Sequence, residues 1–354
     1  MKVGLVTTGF PRFEGDHSGA FLLTLARGLV AQGHEVRVLA PAPARVRPPP
    51  RWPGIEVEWV SYVRPRRLQT TFYQAGAPDN LRAHPLRWVG AASFSISLLV
   101  SAARALDDCD LLVSSWCLPS GWVASMVARG RSHLCICHAT DLRWLGMVPG
   151  GARIARRIAG GTSAFWFLSA THRDRFFEMA RLDPSSVAAH LGPMPIEPLG
   201  KAGFTRATAR RALGLDRFTL LFLGRLVPVK GVDQLLQAAA NLSEPVHIRI
   251  AGDGPERDRL VTLSQRLGVD AKFEGWVAGA HKEALFRGCD ALLVPSRPGE
   301  GLPTVLMEAR SYGLPIVATR VGAITDALKP NERIRLVAPN DPAALADAID
   351  ALRA

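Results

Sequence analysis

Two carboxylates, Glu300 and Glu308, stand eight positions apart in the segment PSRPGEGLPTVLMEARSYGLPIVAT, residues 295–319. An apolar run, DALLV at 290–294, precedes the segment, and another, Ile316 to Ala318, closes it. Pro303 stands where a helix can begin, because its missing N–H would be unpaired there anyway. Gly313 followed by Pro315 is a helix stop. The spacing predicts strand, loop, helix, turn, strand, with Glu300 in the loop and Glu308 within the first two helical turns. A helix start after a strand offers free backbone N–H groups and the positive end of the dipole, which suits a phosphate. An ionised carboxylate only accepts hydrogen bonds, so one just beyond the helix start suits hydroxyl groups. Phosphate and hydroxyls together are the chemistry of a nucleotide sugar.

A second group of residues supports the same chemistry. In LLFLGRLVPVKGVDQLL, Gly224-Arg225 follows an apolar run and Lys230-Gly231 precedes a helical pattern. Arg225 and Lys230 lie five apart on one short loop, so both can converge on one anion, the arginine as a fork and the lysine as a point charge. The turn Gly252-Asp253-Gly254-Pro255 in IAGDGPERDRL reads as turn chemistry. In FEGWV, Gly275 follows a strand, where the neighbouring backbone could meet a base edge.

These residues must be carried by regular elements, and the chain alternates accordingly. KVGLVT at 2–7 reads as a first strand, Ala20 to Ala31 as a helix, and GHEVRVLAP as a second strand, a βαβ unit. Further apolar runs fall at 55–60, 110–114, 133–137, 163–168 and 186–191. GPMPIEPLG at 192–200 breaks the pattern with three prolines and two glycines and reads as a linker. Alternation then restarts, with strands at 218–223, 246–251, 270–274, 290–294 and 334–337 and a last helix at 342–353. The fold class expected is α/β: two Rossmann-like, doubly wound domains, 1–192 and 201–354, joined by a hinge at 193–200. Two such domains would face each other across a cleft, with ligands at the carboxyl ends of strands.

At 354 residues, 48% hydrophobic and 21% charged, the chain has room for two ordinary globular domains. The five cysteines are scattered; Cys135 and Cys137 alternate with Leu134 and Ile136, which reads as a buried strand in a reducing compartment rather than a metal site. No signal-peptide h-region is recognised at the start. Trp88 to Leu106 holds four serines and Arg104 and reads as a helix apolar on much of its surface, not a membrane span. Residues 1–195 carry 22 Lys and Arg against 13 Asp and Glu, a balance of +9, whereas 196–354 carry 21 against 18. Positions 45–104 alone hold nine arginines. Such a face suits anionic lipid, a diphosphate-bearing acceptor or nucleic acid.

GRLxxxKG, AGDGP, FxGxV, PSxxxEG with two glutamates spaced by seven residues, and GLPIVAT, in that order, resemble the retaining nucleotide-sugar glycosyltransferases of family 4, which have the GT-B fold. The resemblance implies that Arg225 and Lys230 hold the donor diphosphate, Glu308 the ribose and Glu300 the donor sugar. It implies that the loop after Glu300, residues Gly301, Leu302, Pro303 and Thr304, gives backbone N–H groups to sugar and phosphate. Trp276 and Val277, after Gly275, would line the base. In the first half, ICHATDLRW resembles the family's His-Gly-Ser/Thr-Asp motif, with His138 and Asp141 matching and Ala139 in place of glycine. The matching histidine would lie near donor sugar and acceptor, with Asp141 on the acceptor side. Gly15, Asp16 and Gly19 stand where many members have a glycine pair beside phosphates and acceptor, here split by Asp-His-Ser. Many members end in a helix crossing back to the first domain; with the sequence ending at ALRA, that brace is expected to be short or absent.

The resemblance further implies transfer of a sugar from a nucleoside-diphosphate sugar to a hydroxyl of a sugar or lipid-linked acceptor, with retention at the anomeric carbon. A retaining hydrolase would need two carboxylates about 5 Å apart; Glu300 and Glu308 are better used as hydroxyl acceptors. No metal and no other cofactor is expected, because two cations and a helix dipole neutralise the departing diphosphate. A dehydrogenase is disfavoured because no GxGxxG follows the first strand. Another GT-B enzyme, a sugar-nucleotide epimerase or glycoside phosphorylase, is the nearer alternative. A nucleic-acid- or membrane-binding module is the third; of these partners an anionic membrane surface on the cytoplasmic side is expected, and nucleic acid is not.

Overall fold

A computed structural model describes residues 1–14, 16, 18–44, 52–73, 77, 80, 81, 84, 86–196, 200 and 202–353. The chain divides into two compact units, Met1–Pro195 and Ile196–Ala354. In the first, seven strands form one parallel sheet: β1 (Lys2–Val6), β2 (Glu35–Pro41), β3 (Ile55–Val60), β4 (Leu111–Ser115), β5 (Ser132–Cys137), β6 (Ala164–Phe167) and β7 (Ala188–Leu191). Their order is β3-β2-β1-β4-β5-β6-β7. Val3 of β1 pairs with Val36 on one side and Leu111 on the other. The direction of winding therefore reverses between β1 and β4.

The second unit repeats the plan. Its six strands, β8 (Thr219–Leu223), β9 (His247–Ala251), β10 (Ala271–Gly275), β11 (Ala291–Val294), β12 (Ile316–Thr319) and β13 (Ile334–Val337), lie in the order β10-β9-β8-β11-β12-β13. The reversal falls between β8 and β11. In an open parallel sheet, ligands bind beyond the carboxyl ends of the strands at such a point.

The apolar runs are continuous because both faces of these sheets are covered. Successive side chains alternate between faces. Leu220, Phe222, Leu293 and Val317 enter one core with Leu235, Leu236 and Ile349, whereas Leu221, Leu292, Val294 and Ile316 enter another with Leu306 and Ala309. The helix Thr304–Ser311 thus buries Val305, Leu306 and Ala309 against β11 and β12. It stops where the sequence predicts: Gly313 has φ 66°, and Leu314 N–H bonds back to Ala309 O at 2.9 Å. In the first unit, Phe165 and Phe167 of β6 pack against Phe176 and Phe177 of the helix Ala170–Ala180.

The stretch read as a helix at 88–106 is the helix Arg87–Ala105. Gly90, Phe94, Leu98 and Ala102, four apart, form its buried row, while Val89, Ile96 and Val100 are exposed. By length and composition it is apolar enough to cross a membrane. Positions 45–51, 74–76, 78, 79, 82, 83 and 85 of the arginine-rich segment 45–104, residues 197–199 of the expected hinge and residue 201 lie outside the described residues.

Candidate active site

The loops that follow β8, β9 and β11 are locked together by close backbone approaches. Gly231 has φ 65°, and a Cβ there would stand 2.0 Å from Pro295 O. Gly252, at φ 141°, lies so close to Gly224 O that a Cβ would meet it at 1.8 Å. Leu226 N–H bonds Asp253 O at 2.9 Å, and Glu256 N–H returns to Leu226 O at 3.1 Å. The glycines read as turn residues are therefore also contact residues, placed where any side chain would force two loops apart.

This framework brings Lys230 to Glu300. Lys230 ends a short 3₁₀ turn, Pro228–Lys230. Its Nζ lies 2.7 Å from Glu300 Oε2, and both side chains are mostly buried. Ser296 Oγ donates to the same oxygen at 3.2 Å, and Gly301 N–H donates to Oε1 at 3.0 Å. The Lys230 side chain also folds over Gly224, next to the exposed Arg225. Arg297, which sequence reasoning passed over, ties the loops further: it donates to Pro228 O at 2.9 Å and to Asp233 Oδ2 at 2.7 Å.

Glu308 has a partner that the sequence did not suggest. Lys282 Nζ, 26 positions away on the helix Gly279–Gly288, lies 2.6 Å from Glu308 Oε1. Each carboxylate of the segment is thus matched by a lysine from a different element.

Pro303 is the N-cap, with φ −64° and ψ 124°, one position before the helix rather than its first residue. No side chain caps this helix, and Thr304 is exposed. Of the four loop residues expected to offer N–H groups, Pro303 has none to give, and that of Gly301 is engaged by Glu300. Leu302 and Thr304 are left as the donors beside the first turn. Gly275 ends β10 at φ 67°, Trp276 after it is exposed, and Val277 packs against the core that holds Leu306.

The remaining candidates belong to the first unit. His138 follows β5 and caps the helix Ala139–Met147. Its Nε2 is 3.0 Å from Ser115 Oγ, and its ring packs against Trp116 and Phe21 at 5.1 and 5.4 Å. Desolvation lowers its pKa to about 4, so the ring is neutral at pH 7. Asp141, expected on the acceptor side, is 2% exposed. Its oxygens accept the N–H groups of His138 at 2.9 Å, Leu142 at 2.8 Å and Cys117 at 2.6 Å. Burial pushes its carboxyl up to about 7 against the pull of these donors. Through these three bonds the Asp141 carboxylate fixes the backbone at His138, Leu142 and Cys117.

Asp16 is likewise buried and bound within its own loop, to Arg12 Nε at 2.6 Å and to Ser18 N–H at 3.1 Å. Burial opposes its ionisation, but the hydrogen bonds from Arg12 and Ser18 outweigh it and hold the carboxyl below its ordinary range. Gly19, at φ 71°, packs on Gly9 O, where a Cβ would stand at 2.3 Å. Gly15 lies outside the described residues.

Two parallel doubly wound sheets, with interlocked basic and acidic loops at the switch point of the second, fit the GT-B fold. The chain belongs to the group 1, family 4 glycosyltransferases: residues 205–353 match the family "Glycosyl transferases group 1", and residues 18–190 match "Glycosyl transferase 4-like domain". It is 26% identical to a putative teichuronic acid biosynthesis glycosyltransferase of Bacillus subtilis, over 99% of this chain and 88% of that one. It is 28% identical to a D-inositol 3-phosphate glycosyltransferase of Frankia alni, over 96% of this chain and 86% of the other. Among solved structures it resembles sucrose-phosphate synthase from Thermosynechococcus elongatus, with a TM-score of 0.76 and 20% identity over 98% of this chain and 88% of that one. It also resembles the Anabaena protein HepE solved in complex with UDP-glucose, with a TM-score of 0.69 and 20% identity over 99% and 89%.

Proposed function

We propose that the chain moves a hexose from a nucleoside-diphosphate sugar to a hydroxyl acceptor with retention of anomeric configuration. The observation that carries this reading is the pairing of Lys230 with Glu300 at 2.7 Å across the two loops that flank the β8/β11 reversal. One cation is thereby held at once beside a hydroxyl-accepting carboxylate and beside the loop of Arg225. In the proposed step the bond from the anomeric carbon to the diphosphate oxygen breaks, and a bond to the acceptor oxygen forms on the same face. The acceptor proton passes to the departing diphosphate. Arg225, Lys230 and the uncapped start of the helix Thr304–Ser311 neutralise that leaving group, and the reading needs no metal or other cofactor. Glu300 takes sugar hydroxyls, Glu308 takes the ribose, and Trp276 with Gly275 and Val277 borders the base. His138, neutral at pH 7, accepts or donates a hydrogen bond near the transferred sugar.

A lipid-linked or polysaccharide acceptor at the cytoplasmic membrane face is part of the proposal. The name of the Bacillus subtilis relative supports a cell-surface polymer, and the HepE complex supports a nucleotide-sugar donor. The exposed Val89, Ile96 and Val100 on a helix flanked by Arg87 and Arg104 support peripheral contact with anionic lipid.

The test is a thermal-shift panel of UDP-, GDP- and ADP-sugars on the purified chain, followed by anomeric analysis of the product by NMR. One donor should raise Tm and be turned over to a retained glycoside. Lys230→Ala should cut turnover about 100-fold or more while the fold persists. No shift with any donor, an inverted product, or wild-type turnover in Lys230→Ala would each overturn the reading.

A further inference from the structure

Three of the five cysteines meet in the core of the first unit. Period two on β5 turns Cys135 and Cys137 to the same side. The turn after β4 brings in Cys117, 20 positions from Cys137 along the chain. Cys117 Sγ lies 3.2 Å from Cys137 Sγ, and Cys135 Sγ lies 3.9 Å from Cys137 Sγ. All three sulfurs fall within 4.8 Å of one another, and all three residues are fully buried. Among the described residues this is the group of His, Cys, Asp and Glu donors that converges so closely.

The backbone around the group is shaped to make the convergence possible. Trp116, immediately before Cys117, has φ 81°, an uncommon conformation for a bulky residue. Gly121 closes the same turn, where a Cβ would stand 2.9 Å from Cys135 Sγ. Asp141 holds the Cys117 N–H at 2.6 Å. Three buried thiols could pack anywhere in an apolar core as small hydrophobes; here a strained turn, a glycine and a buried carboxylate bring them to one point.

We propose that Cys117, Cys135 and Cys137 form a three-thiolate site for a soft d10 cation of the copper(I) type. A cation about 2.3 Å from three sulfurs in a plane would hold them about 4 Å apart; the separations of 3.9 and 3.2 Å lie at and below that spacing, and the third is within 4.8 Å. A structural zinc site needs a fourth ligand. The neighbouring donors are already engaged: both Asp141 oxygens accept backbone N–H groups, His133 Nε2 is 2.8 Å from Ser114 Oγ, and His133 Nδ1 is 3.0 Å from Gly161 O. Three soft donors without a fourth suit copper(I), which thiolates select. The surroundings are apolar, with Leu142, Leu145 and Phe165 in the same core. The site shares no residue with the proposed donor-binding group and does not depend on that reading.

The experiment is anaerobic titration of the reduced full chain with copper(I) supplied as its acetonitrile complex, read by thiolate-to-copper absorption and by native mass. The expected result is one copper per chain. Cys117→Ser, Cys135→Ser and Cys137→Ser should each weaken binding by about 100-fold or more, while Cys109→Ser and Cys289→Ser leave it unchanged. Circular dichroism verifies folding, and the alanine variant replaces any serine variant that fails to fold. Absence of stoichiometric copper, binding undiminished in Cys137→Ser, zinc(II) binding at least as tight as copper(I), or recovery of Cys117 and Cys137 as a disulfide from a reducing cytoplasm would each overturn the assignment.

Discussion

Neutrality of His138 follows from where its ring sits. Its folded-state pKa of about 4 lies below the ordinary 6.5, so the folded chain binds fewer protons than the unfolded chain between those values. The stability owed to the neutral ring is complete above pH 6.5 and is lost as the pH falls from 6.5 toward 4. His138→Asn should therefore flatten the acid limb of the stability curve by up to about 3 kcal/mol. An NMR titration of the His138 ring checks the premise directly, and a midpoint near 6.5 would refute it. The paired lysines make a second prediction at this scale. Lys282→Ala removes the cation at 2.6 Å from Glu308, and a carboxylate freed of its cation repels a diphosphate nearby. Donor affinity should fall by about tenfold, a 1.4 kcal/mol effect, with calorimetry as the measure; an unchanged affinity would separate Lys282 from the site. The type of each glutamate and its place near a helix start were legible in the sequence. Their lysines were less so: Lys230 stands 70 positions before Glu300, and Lys282 carries no motif. Asp141 was legible as a motif residue but not as a buried one, because a carboxylate held by three backbone N–H groups looks no different in sequence from one that faces a ligand.

Elements were read well where burial dictated composition. The helices Ala20–Ala31 and Pro342–Arg353 and the strands Ile55–Val60 and Ile334–Val337 fall at the expected bounds, and the other strands shift by a residue or two. Continuous apolar runs mark parallel strands because both faces are covered. The contacts between loops were not readable, since a glycine that permits a turn and one that permits a close approach are the same letter. Gly231 is both. An alanine there meets a left-handed backbone and a carbonyl at 2.0 Å, so it must part the β8 loop from the β11 loop. Gly231→Ala should cost more than about 1 kcal/mol of stability and should weaken donor binding together with it, through displacement of Lys230 from Glu300. Paired thermal melts and donor titrations measure both. Loss of stability with donor affinity intact would mean that the loop contact serves the fold alone.

At the scale of the whole molecule, the division at Pro195 and Ile196 separates two kinds of chemistry. Arg225, Lys230, Glu300, Glu308 and the helix start all belong to the second unit, which has its own six-stranded sheet and two apolar cores. His138, the Asp141 brace and most of the excess positive charge belong to the first. If the donor-side reading holds, residues 196–354 expressed alone should fold and bind a nucleoside diphosphate yet transfer nothing. Ligand at about 100 times its Kd should then stabilise that fragment by about 2.7 kcal/mol, as it does the intact chain. Thermal melts of both proteins with UDP, GDP and ADP make the comparison. A folded fragment unmoved by a nucleotide that stabilises the intact chain would show that the first unit is needed to bind the donor. Transfer by the fragment alone would remove His138 from the chemistry.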